Sequence, residues 1–191
     1  MAPKLILTGF MATGKSTVAR ALSRRLTWPL VECDAMIVAR AGKSIAEIFK
    51  AGGEAHFRAL EREVIAIIAH DQRRCPHCSQ PRPAVISTGG GALADRGNQA
   101  VLSSCGVIIC LSARPDVIAR RIGRGVSARP MLLEGDKPLH ARIAELMEAR
   151  REAYSCASIT VDTSDLSIEQ VVDAVITRAA AYRAQRWTAS T

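Results

Sequence analysis

Gly9-Phe10-Met11-Ala12-Thr13-Gly14-Lys15-Ser16 matches the pattern GxxxxGK[ST] without a gap, between an apolar run at Leu5-Ile6-Leu7 and a helical pattern over residues 17–26. Phosphate binding needs a strand, a glycine loop and a helix in that order. The glycines let backbone wrap around phosphate oxygens, and successive N–H groups point inward at a helix N-terminus, whose dipole adds partial positive charge. Gly9, Met11, Ala12, Thr13, Gly14, Lys15, Ser16 and Thr17 then cradle a nucleotide, with Lys15 reaching the β- and γ-phosphates and Ser16 placed to ligate Mg²⁺. On this reading the chain holds a nucleoside triphosphate.

Outward from this loop, apolar runs at residues 5–8, 30–33, 85–88, 107–111 and 159–161 predict five strands. Each is short and aliphatic without strict alternation, as a strand buried on both faces should be. Helical patterns fall between them, so the fold class is α/β, a parallel sheet covered on both faces. Ser44-Ile-Ala-Glu47 is a capping box that opens a helix through Ile48 and Phe49, and Gly52-Gly53 ends it. From Glu54 a second helix carries Phe57, Leu60, Val64, Ile65 and Ile68 on one face. Ser167-Ile-Glu-Gln170 opens the last helix in the same way, with a frayed tail expected over about 187–191.

At 191 residues the chain reads as one domain, 1–191. The net charge of +8 comes mainly from arginines scattered over several helices, with no helix-turn-helix, RRM or zinc-finger pattern, so anionic small molecules explain it and nucleic acid is not expected. An aromatic share of 4% also argues against base-stacking surfaces. No secretory leader or membrane-length apolar run is apparent, which predicts a cytoplasmic protein with no membrane role. Of the six cysteines only Cys75 and Cys78 are closely paired, in a Cys-Pro-His-Cys insertion over about 70–83. A plain loop, a metal site with His70 or His77, and a redox pair all remain open there, although a closed zinc site wants four ligands.

Over about 121–138 the helical pattern breaks at Gly123, Gly125, Pro130, Gly135 and Pro138, and the segment carries Arg121, Arg124 and Arg129. An irregular basic stretch of this length beside a phosphate loop predicts a lid, whose closure brings arginine to the transferring phosphoryl group and shuts out water.

Four features predict an acceptor pocket. Asp34 ends the second strand, at the carboxyl edge where open α/β sheets place ligands, and can orient a hydroxyl or take its proton. Arg58 follows Phe57, with Glu54 and Glu61 near enough on the helix for a surface ion pair instead. Gly89-Gly90-Gly91 follows a strand directly and lets backbone touch a ligand. Arg150 falls on a helix face running Ile143, Met147, Arg150 and Tyr154. An inward arginine matches a substrate carboxylate, or pairs with Glu145 or Glu148.

Together GFMATGKST, Asp34, Ser44-Ile-Ala-Glu-Ile-Phe49, Gly53-Glu-Ala-His-Phe-Arg58, Ser87-Thr-Gly-Gly-Gly91, Arg129-Pro130 and Arg150 before Tyr154 resemble the shikimate kinase family over residues 4–162. The resemblance implies a nucleoside-monophosphate-kinase-like fold with sheet order 2-3-1-4-5, ATP and Mg²⁺ as co-substrate and cofactor, a monomer, and transfer of the γ-phosphoryl to the 3-hydroxyl of shikimate on the route to chorismate. It places Asp34, Arg58, Gly90 and Arg150 on shikimate, with Phe49 and Phe57 as pocket walls. Arg129 acts on the phosphoryl group in flight, with Lys15 and Asp34 as its catalytic companions, and Arg121 lies against adenine.

The chain also departs from the family pattern. Glu32 stands where aspartate usually assists Mg²⁺ through water, and Ala12 replaces a glycine, a change tolerable at a negative backbone angle. Glu152-Ala153 replaces Pro-Leu, and the lid reads Arg129-Pro130-Met131-Leu132. A gluconate kinase of the same fold is the nearest rival within kinases, and a nucleotide-dependent regulatory or metal-sensing protein is the alternative from another class.

Overall fold

In the computed structural model, which describes residues 4–70, 82–123 and 138–188, five strands pair in parallel in the order β2-β3-β1-β4-β5. These are β1 (Lys4–Gly9), β2 (Leu30–Glu32), β3 (Ala84–Ser87), β4 (Gly106–Ser112) and β5 (Ile159–Asp162). Leu5 pairs with Val85 on one side and Val107 on the other, so β1 is central. The helices are α1 (Lys15–Leu26), α2 (Cys33–Ala41), α3 (Ile45–His70), α4 (Arg96–Cys105), α5 (Pro115–Ile122), α6 (Leu139–Glu148), α7 (Arg151–Ser155) and α8 (Ile168–Thr188). None of them, among the described residues, is long and apolar enough to cross a membrane. The predicted class, order and all five strands are present.

Side chains alternate across a strand, so β1 feeds two cores. Leu5 and Leu7 join Val18 and Leu22 of α1 and Val171 and Val175 of α8. Ile6 points the other way, among Ile37 of α2, Phe57, Val64 and Ile65 of α3, and Leu102 of α4. A third cluster, around Phe10, Val117, Ile118 and Ile143, lies beside the glycine loop where α5 meets α6. The three clusters fix the strand ends from which the functional loops emerge.

Local signals act as their chemistry requires. Ser44 and Glu47 close a reciprocal cap, the Ser44 N–H donating to Glu47 Oε2 at 2.8 Å and the Glu47 N–H to Ser44 Oγ at 3.3 Å. Ser167 and Gln170 repeat it before α8. Within α3, Gly53 adopts φ 66° and ψ −169°, a conformation open essentially to glycine alone, and divides the helix into the two segments the sequence predicts.

Two expectations need correction. Cys33 and Asp34 belong to the first turn of α2 and not to the strand, because pairing of β2 stops at Glu32, opposite Ser87. The helix predicted to carry Arg150 is interrupted: α6 ends at Glu148 and α7 begins at Arg151, with Arg150 between them at φ −106° and ψ 2°. The Cys75/Cys78 motif, the stretch of the predicted lid that contains Arg124 and Arg129, and the end of the tail lie outside the described residues.

Candidate active site

The glycine loop turns on three residues of positive φ: Gly9 at 131°, Ala12 at 59° and Gly14 at 95°. Gly9 is obligatory, because a Cβ there would run into the Leu111 carbonyl of the neighbouring strand. At Ala12 the expectation of a negative angle fails. An alanine in the left-handed region costs about 1–2 kcal/mol, and its methyl packs against the Phe10 cluster. Thr13 is buried, and its hydroxyl donates to the Phe10 carbonyl at 2.7 Å. Lys15 folds back over the loop, with Nζ donating to the carbonyls of Gly9 and Phe10, each at 2.8 Å. Its ammonium is therefore held against the loop backbone at the cleft.

The loop opens into a cleft of about 610 Å³ lined by Met11, Ala12, Gly14, Lys15, Ser16, Thr17, Glu32, Asp34, Phe49, Phe57, Arg58, Glu61, Gly89, Gly90, Gly91 and Arg150, among others. The glycine loop and the predicted acceptor pocket thus share one space. Phe49 and Phe57 stack with centroids 4.9 Å apart, one on each side of the Gly53 break. Asp34 faces the cleft. Withdrawal from bulk water raises its pKa, and Glu32 adds to this while Lys15 and Arg58 oppose it.

Arg58 is ion-paired, as one sequence alternative allowed, yet it stays in the cleft wall. Its Nη1 meets Glu61 Oε2 at 2.6 Å and its Nη2 meets Glu54 Oε1 at 3.0 Å. Burial works against its charge, but the two glutamates outweigh that and its pKa is raised. Glu61 is 1% exposed, and its Oε1 has no hydrogen-bond partner among the described residues. Its pKa is raised, first by burial, against the pull of Arg58. The role of Glu61 beyond an ion pair was not predicted, although its place four residues after Phe57 and three before Val64 puts an acid on an apolar helix face.

The glycine run is shaped by these side chains. A Cβ on Gly91 would collide with the Arg58 guanidinium, and one on Gly89 would meet Glu61 Oε1 at 2.8 Å and Asp34 Oδ1 at 3.2 Å. Gly91 leads into a short 3-10 turn, Ala92–Ala94, and not into an α-helix. Across the cleft the Arg150 guanidinium lies 5.5 Å over the Phe10 ring, beside Gly90. Glu145 faces Arg142, and Glu148 faces Arg151.

A second pocket of about 210 Å³ adjoins the loop and shares Gly14 and Thr17 with the cleft. Thr13, Arg121, Thr163, Leu166 and Ile168 line it. Arg121 donates to the Thr163 hydroxyl at 2.9 Å and to its carbonyl at 2.5 Å. The same hydroxyl bonds the carbonyls of Thr13 and Ser112. Thr163 was not predicted from sequence, since one threonine after a strand carries no signal of its own.

A sequence model described as shikimate kinase matches residues 11–180. The chain belongs to the shikimate kinase family. The shikimate kinase of Geobacter sulfurreducens is 40% identical over 173 residues, covering 91% of this chain and 88% of that protein. The structure of a shikimate kinase from Acinetobacter baumannii in complex with shikimate superposes with a TM-score of 0.79 at 25% identity, covering 92% of each chain. That of a shikimate kinase from Bacteroides thetaiotaomicron gives 0.76 at 31% identity, covering 92% of this chain and 95% of the other. The expectations drawn from shikimate kinases fall on residues that this fold brings together around the cleft, with Arg121 in the adjoining pocket and Arg129 outside the described residues.

Proposed function

We propose that the chain transfers the γ-phosphoryl group of ATP to the 3-hydroxyl of shikimate, giving shikimate 3-phosphate and ADP. One observation carries this reading: Asp34, Arg58 and Arg150 line the same cleft as Lys15. Two guanidinium groups match a carboxylate on the acceptor, and a carboxylate beside the phosphate cradle matches a hydroxyl that must lose a proton as it attacks. Asp34 orients that hydroxyl and accepts its proton. The loop N–H groups and Lys15 neutralise charge on the phosphate oxygens, and Arg129 is the expected further cation on the transferring group. Phe49 and Phe57 close the apolar side. Arg121 and Leu166, in the adjoining pocket, hold the adenine. The reaction runs in the cytoplasm, on a small molecule and in a monomer.

The donor set suits Mg²⁺, because the Ser16 hydroxyl and Glu32 carboxylate are hard oxygen donors on the same cleft. Glu32 is held at 3.1 Å by Arg20, which restrains the longer side chain that replaces the family's aspartate. The ion, when bound, offsets charge on the β- and γ-phosphates. Ser16 and Glu32 are the residues that would hold it, and among the described residues no group of three or more His, Cys, Asp or Glu is placed to hold a metal.

The test is a coupled ADP-release assay with shikimate, quinate, gluconate or no acceptor. Turnover should need shikimate and Mg²⁺. Turnover with gluconate alone, or equal turnover without acceptor, would overturn the reading.

A further inference from the structure

Tyr154 lies in α7, away from the phosphate loop, yet its hydroxyl reaches the cleft wall and donates to the Gly90 carbonyl at 2.6 Å. The Arg150 guanidinium lies beside the same Gly90 and, as a neighbouring cation does, works against the burial that keeps the phenol protonated, and the Tyr154 N–H donates to the Arg150 carbonyl at 3.0 Å. One phenol is thus bonded to one of the groups assigned to the acceptor and stands beside another. The ring packs with both the Phe57 cluster and the Phe10 cluster, so it spans the boundary between two cores. Burial pushes its pKa up to about 12, which keeps the hydroxyl a donor throughout the working pH range.

The need for such a bridge follows from the backbone around it. Arg150 occupies the interruption between α6 and α7, so no regular helix fixes its position. Gly90 has no side chain with which to anchor itself. The aromatic ring of Phe10 supports the guanidinium face at 5.5 Å. A hydrogen bond from the guanidinium to the adjacent tyrosine hydroxyl would set its orientation about that face.

We propose that Tyr154 is a positioning residue for the acceptor: its hydroxyl ties the Arg150 guanidinium to the Gly90 carbonyl, so that arginine and glycine strap meet the substrate carboxylate as one preorganised wall. This rests on the reading of the cleft as a shikimate site. The tyrosine need not touch the reacting atoms. Its contribution is to hold the arginine before substrate arrives, which lowers the ordering cost of binding.

The experiment compares the full-length wild type, Tyr154→Phe, Arg150→Ala and the double variant, by steady-state kinetics and by calorimetric titration with shikimate. Phenylalanine keeps the ring in both cores, and a thermal melt verifies that it folds. The dissociation constant and KM for shikimate should rise about tenfold in Tyr154→Phe, the scale of one hydrogen bond to a charged group, while KM for ATP changes less than twofold. In the Arg150→Ala background the tyrosine substitution should add almost nothing, because the two residues act as a unit. Unchanged shikimate binding in Tyr154→Phe, equal weakening of both ligands, or additive effects would each overturn the proposal. A wild type that neither binds nor phosphorylates shikimate would instead overturn the acceptor reading itself.

Discussion

Asp34 stands in the first turn of α2 with its carboxyl raised by desolvation, so the free protein holds this proton more tightly when folded than when unfolded. Between the unfolded and folded pKa values the folded state binds more protons, and stability therefore falls as pH rises through that window. Asp34→Asn should raise the melting temperature of the ligand-free protein at neutral pH. The gain should vanish in acid, below the ordinary carboxylate pKa of about 3.9. Turnover in the same variant should be lost, and the acid limb of wild-type kcat/KM should lie above that ordinary value. A melting temperature that drops at neutral pH would refute the desolvation argument. At Ala12 the left-handed backbone predicts the converse: Ala12→Gly should stabilise the protein by about 1 kcal/mol in urea titration, because relief of strain exceeds the entropy cost of a glycine. That strain was not legible in the sequence, since an alanine in a loop carries no mark of its φ. Glu61 was half legible, by its helical spacing, but its burial depends on the packing of Gly89 and Arg58 around it.

At the scale of elements, α3 is a helix in two halves about Gly53, with Phe49 and Arg58 on opposite sides of the break. Gly53→Ala should cost about 1–3 kcal/mol of stability and raise the shikimate KM more than the ATP KM, because it shifts one stacked phenylalanine relative to the other. Equal rises in both constants would indicate a general loss of fold instead. The capping boxes at Ser44 and Ser167 were readable because they are local, three-residue bonds between side chain and backbone. The inner strands β1, β3 and β4 were readable because burial on both faces demands aliphatic runs, whereas the edge strands depart from that expectation, β2 being half-buried and β5 exposing Thr160 and Asp162. The break at Arg150 was not readable. An apolar spacing of four, three and four continues across it, and the stop at Glu148 follows from how α6 and α7 dock against different neighbours: α6 against α5, α7 against the turn at Ala92–Ala94. The sequence thus placed Arg150 on the correct side while misjudging what carries it.

For the whole molecule, the described cleft wall balances Lys15, Arg58 and Arg150 against Glu32, Asp34 and Glu61, while the chain carries +8 overall. Attraction of two anionic ligands from a distance then comes from the molecule's surplus charge and not from the cleft alone. Raising ionic strength at constant Mg²⁺ should lower kcat/KM for shikimate severalfold with little change in kcat, and an unchanged kcat/KM would exclude steering by the net charge. Three consecutive glycines in the cleft wall have a longer-range consequence. That stretch possesses no functional groups beyond its main chain, so its contour is a cast taken from Glu61, Arg58 and Tyr154 on surrounding helices. If the glycines meet the acceptor as proposed, remodelling which small acid fits is a matter of editing α3 and the α6–α7 junction, with the bare strap left untouched as a blank that takes whatever imprint its neighbours supply.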